Sequence, residues 1–72
     1  MTNKIVKWSG STKCDFCHKE ISHVLIDGKT IMGSWAIMCP HCHSFYGYKK
    51  FRTGIGQKYQ INSKGEFIKV EG

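Results

Sequence analysis

Four cysteines fall in two pairs, Cys14-Asp15-Phe16-Cys17 and Cys39-Pro40-His41-Cys42, with 21 residues between them. A lone C-x-x-C pair serves either of two chemistries: disulfide exchange through a dithiol, or one edge of a metal tetrahedron. The duplication decides between them. Zinc takes four ligands, and two pairs on separate turns supply its two opposite edges. A spacing of about 15–20 residues between pairs is usual, and 21 is within reach of a slightly longer hairpin. A redox pair would leave Cys14 and Cys17 without a role, and it needs a βαβ setting that this short chain does not offer. Pro40 has a simpler use, stiffening the turn so that both sulfurs of its pair point one way. One structural Zn²⁺ on Cys14, Cys17, Cys39 and Cys42 is therefore expected. Four thiolates leave no open position for catalysis, so no enzyme is expected either.

His18, His23, His41 and His43 crowd the two pairs, and each is an alternative metal ligand. With four thiolates already present, the plainer expectation for an imidazole is a hydrogen bond to a ligand sulfur, a phosphate contact or exposure to solvent. A nuclease would need a second, open metal site and a base, and no matching constellation follows His41 and His43.

A chain of 72 residues bounds one small domain. At this size only about 60% of the unfolded surface is buried, so the core is marginal and often needs a metal or disulfides. The opening MTNKIVKWSGSTK has neither a long apolar run nor a small-residue cleavage site, so no secretory leader is expected. Paired cysteines without such a leader point to a reducing cytoplasm. The formal charge is +6, and no acidic residue lies between Asp27 and Glu66, where Lys29, Lys49, Lys50, Arg52, Lys58 and Lys64 fall. A dication held by four thiolates adds −2 and brings the chain to about +4. An anionic partner fits that excess.

The elements that must position the cysteines can be read in order. Residues 1–13 read as a loose arm with a short strand over 4–8, and 14–72 as one zinc-binding domain, divided into a module over 14–52 and a C-terminal hairpin over 57–70. Asp27-Gly28 between apolar β-formers predicts a hairpin corner, after which a second strand runs through Gly33 and Ser34 into Trp35–Met38 and delivers the chain to Cys39. Pro40 predicts a helix start. Phe45 and Tyr48, three apart, predict one face packed on the hairpin, while Gly47 shortens the helix. RTGIGQ is a glycine-punctuated loop, and Asn62-Ser63-Lys64-Gly65 predicts the second hairpin corner. The fold class is α+β: two β-hairpins, one short helix and a four-cysteine site of treble-clef or zinc-ribbon type.

A C-x-x-C turn, a hairpin and a strand entering C-x-x-C at a helix start resemble the treble-clef zinc fingers. MCPHCHSFYGYKK is similar to the second knuckle and helix of the GATA-like members, over roughly residues 14–52. The resemblance implies zinc on the four cysteines and a helix whose basic continuation faces the DNA major groove. With its GSWAIMC and GIGQKY segments, the chain also resembles small uncharacterised zinc-finger proteins of bacteriophage genomes.

YGYKKFRTGIGQKY interleaves rings with cations, the mixture that nucleic-acid surfaces use to neutralise phosphates and stack on bases. Tyr48, Lys49, Lys50, Arg52 and Lys58 are the expected contacts, with DNA as the expected polymer. The two glycines of GIG would let backbone amides approach a phosphate. The alternative is a protein-interaction module, such as a phage-encoded inhibitor or adaptor of a host protein, pairing through the sheet edge of the C-terminal hairpin.

Overall fold

A computed structural model describes residues 5–72. Its elements are β1 (Val24–Lys29), β2 (Trp35–Met38), α1 (Pro40–Tyr46), β3 (Gly56–Ile61) and β4 (Phe67–Glu71). The four strands form one antiparallel sheet in the order β2-β1-β3-β4. The α+β class, the two hairpins and the single short helix are all present as expected.

Strand alternation divides the core between the two faces of the sheet. Leu25, Ile37, Tyr59 and Phe67 gather with Cys14, Ile21 and Cys42, and Trp8 packs against them. Ile26, Ala36 and Met38 gather on the other face with Phe51 and Val24. Phe16 touches both groups.

The first hairpin turns later than the sequence predicts. Asp27 and Gly28 lie inside β1, paired with Ile37 and Ala36. The reversal comes at Thr30–Ser34: the Thr30 amide and hydroxyl both donate to the Ser34 carbonyl, at 2.7 and 2.9 Å. Gly33 supplies a left-handed φ of 93°. Two tertiary contacts override the local signal. The Asp27 carboxylate accepts from Trp35 Nε1 at 2.7 Å, and Gly28 faces Gly56 on β3. A Cβ at Gly28 would lie 3.0 Å from the Gly56 Cα, so this glycine serves close approach of two backbones.

The second hairpin turns where expected. Asn62 Oδ1 accepts from the amides of Lys64 and Glu66 at 3.0 and 2.9 Å, an Asx turn, and Gly65 takes φ 80°.

Residues 6–8 are not loose. Val6 O accepts from Lys69 N at 2.8 Å, Trp8 N donates to Phe67 O at 2.9 Å, and the Trp8 ring packs on Tyr59 with centroids 5.3 Å apart. These contacts occupy part of the outer edge of β4, the edge that the protein-interaction alternative would use. Lys4, at the start of the short strand read over 4–8, lies outside the described residues.

Candidate metal centre

The first cysteine pair sits on a tight turn. Cys14 N donates to Lys19 O at 3.0 Å, His18 N donates to Cys14 O at 2.9 Å, and Lys13 bridges Glu20. His18 takes φ 62°, the left-handed region, which lets the chain reverse directly after Cys17. The turn is bolted to the sheet by Asp15: its amide donates to Ile37 O at 2.8 Å and its carboxylate accepts from Ile37 N at 2.7 Å.

The second pair opens α1. Cys39 is the N-cap, with Sγ accepting from Cys42 N at 3.5 Å, and Pro40 follows at the first helical position. The hairpin β1–β2 returns this pair to the first. All four sulfurs lie within 4.8 Å of one another, and Cys17 and Cys39 Sγ are 3.8 Å apart. A metal–sulfur bond of about 2.3 Å sets a tetrahedral sulfur–sulfur edge of about 3.8 Å, whereas a disulfide needs about 2.05 Å. The four cysteines are positioned to hold one metal ion.

Electrostatics say the same. Burial alone would raise the Cys14 thiol, but backbone amides of Cys17, Cys39 and Phe16 aimed at its sulfur bring it down to about 6. Cys42 goes the other way: burial, then the crowding of the other three sulfurs, pushes it up to about 12. Four sulfurs this close cannot all ionise without a cation between them. A bound dication removes that conflict and makes all four thiolates available as ligands.

None of the four histidines joins the sulfur cluster. His18 and His23 are exposed, and exposed His41 meets the Phe45 ring edge-on at 5.1 Å. His43 plays a structural part, with Nε2 donating to Tyr48 O at 2.8 Å and the ring stacking on Phe51 at 5.2 Å. Burial holds this imidazole below its ordinary pKa against the opposing pull of the Tyr48 carbonyl, and Lys49 and Lys58 add repulsion in the same direction as burial. Gly47 makes room for this ring, because a Cβ there would lie 2.0 Å from His43 Cδ2.

The helix departs from expectation in two ways. Phe45 is 63% exposed, and Tyr48 lies beyond the helix and is 47% exposed, so they do not form a face packed on the hairpin. In a helix of seven residues the inward side is occupied by Cys42 and His43. The helix also ends at Tyr46, so Lys49, Lys50 and Arg52 ride on the following loop instead of extending α1 into a basic recognition helix.

The five expected nucleic-acid contacts are differently placed. Lys50 and Arg52 are exposed and form no ion pair among the described residues. Lys49 Nζ donates to His43 O at 2.7 Å, capping the carbonyl end of α1. Lys58 pairs with Glu71 at 3.5 Å and lies over the Phe51 ring at 6.0 Å. The Tyr48 ring is half exposed, whereas Tyr59 is core. The GIG amides do not form the expected phosphate nest, since Ile55 N and Gly56 N both donate to Arg52 O at 3.0 Å.

Sequence reasoning does not find an aromatic groove that lies against the metal centre. Phe16, Cys17, His41, Cys42, Phe45 and Tyr46 enclose a volume of about 300 Å³. Its signal in the sequence is a phenylalanine between two ligand cysteines and two adjacent rings at the helix end. No protein-family model, curated protein or solved structure matches this chain.

Proposed function

We propose that this is a small zinc-stabilised protein that binds nucleic acid through the basic segment carrying Tyr48, Lys49, Lys50, Arg52 and Lys58, with DNA as the first polymer to test. Zinc is the ion that best suits four thiolates at tetrahedral spacing, and with every position filled by sulfur its role is structural. The observation that carries the nucleic-acid reading is how the negative charge is used. All five side-chain carboxylates are engaged within the fold. Asp15 accepts from Ile37 N, Glu20 from Thr12, Asp27 from Trp35, Glu66 from Lys7 and Asn62, and Glu71 faces Lys58. Only Lys7 and Lys58 form ion pairs among the described residues. With the thiolate–dication centre counted, the chain still carries about +4, a net positive field that an anionic polymer neutralises.

Fluorescence anisotropy of a labelled DNA, titrated with metal-loaded protein over a range of salt concentrations, tests this reading. Affinity should fall linearly on a log–log plot against salt. Replacing Lys50 and Arg52 together with Ala should flatten the slope by about 0.7–0.9 for each phosphate no longer neutralised. Salt-independent binding, or a slope that the double variant leaves unchanged, would sink it.

A further inference from the structure

We infer that the aromatic groove beside the metal centre receives an unpaired nucleobase, so that the nucleic acid bound is single-stranded. This rests on the nucleic-acid reading above and adds to it the form of the polymer.

The groove offers flat surfaces held ready. Phe16 and Tyr46 stack with centroids 4.5 Å apart and planes inclined by 20°. Tyr46 is fixed at its backbone as well, its carbonyl accepting from Ile31 N at 2.8 Å. Phe45 stands beside them at 6.2 Å, largely in solvent, braced edge-on by His41. A platform built before the ligand arrives loses little entropy on binding.

Chemistry narrows the occupant. Among the described residues no carboxylate lines the groove, and the nearest acid in sequence, Asp15, is tied to Ile37. Lys49 is bonded to the same helix that supplies His41, Phe45 and Tyr46, and Lys50 and Arg52 follow it. Exposed rings on a helix that a lysine caps suit a strand whose bases are free to stack. A duplex hides those faces and must be read through its grooves, by an element with donors for base edges. The seven residues of α1 carry no lysine or arginine for that purpose.

The test uses the metal-loaded full chain with labelled oligothymidine of about 15 nucleotides and a duplex of the same length. The single strand should bind at least about tenfold more tightly, and Phe45→Ala should weaken it by about five- to a hundredfold while leaving metal content and the salt slope unchanged. Phe45→Leu, which keeps apolar bulk without a π face, should lose affinity similarly, and Phe45→Trp should retain it. If both Phe45→Ala and Phe45→Leu bind the single strand like wild type while Lys50→Ala/Arg52→Ala binds weakly, the groove is not the base site and only the basic-segment reading survives. Should neither oligonucleotide bind, both readings fall. A dimer in sedimentation that Phe45→Ala abolishes would assign the groove to a second copy and overturn the inference.

Discussion

Around the sulfur cluster, residues 13–20 and α1 bury little besides the sulfurs, whereas the β3–β4 hairpin is fixed by Trp8, Leu25, Tyr59 and Phe67. In α1 only Cys42 is buried, and seven residues are too few for a helix to persist alone. The C-terminal hairpin has its own devices: a ladder to β1, an Asn62 turn and ring packing on Trp8. The two sets meet in one cluster, since Cys14 and Cys42 touch the same apolar group as Leu25 and Tyr59. A metal held by the four sulfurs would do for one end of this core what hydrocarbon burial does for the other.

The largest effect should come from removing the metal. A strong chelator should unfold the chain, since structural zinc contributes about 10–16 kcal/mol of folding free energy in small zinc domains. Hydrogen exchange during chelation should show 13–20 and α1 opening before β3 and β4. Simultaneous loss would mean that the two regions are not separable. Next, Leu25→Ala attacks the hydrocarbon end and should cost about 2–5 kcal/mol in denaturant melts while the metal stays bound at one equivalent. Loss of metal in that variant would break the distinction.

Gly47→Ala probes the joint between α1 and the basic loop. The new methyl must displace the His43 ring and its bond to Tyr48 O, at a cost of about 1–3 kcal/mol in denaturant melts. Smallest is His18→Gly, which relieves a left-handed residue and should raise stability by about 0.5 kcal/mol, read as a higher melting temperature of the metal-loaded protein.

The metal centre is legible in the sequence because its ligands obey fixed spacing rules, and Pro40 and the Asn62–Gly65 turn because their signals are local. What escapes the sequence is decided at a distance. Gly28 looks like a turn residue until Gly56, across the sheet, explains its missing side chain. Gly47 signals a helix end by propensity, yet it also clears space for the His43 ring. Phe45 and Tyr48 obey helical spacing, but Tyr48 falls outside a helix whose inner face is already taken by Cys42 and His43. The arm at residues 6–8 gives no sign that Trp8 will find Tyr59, some fifty positions away.

Native mass spectrometry of the reduced, folded protein tests the sulfur cage most directly. One zinc ion per chain is the expected mass gain, and Cys14→Ser or Cys42→Ser should lose the ion. A reduced chain that is folded, melts cooperatively and carries no metal would contradict it.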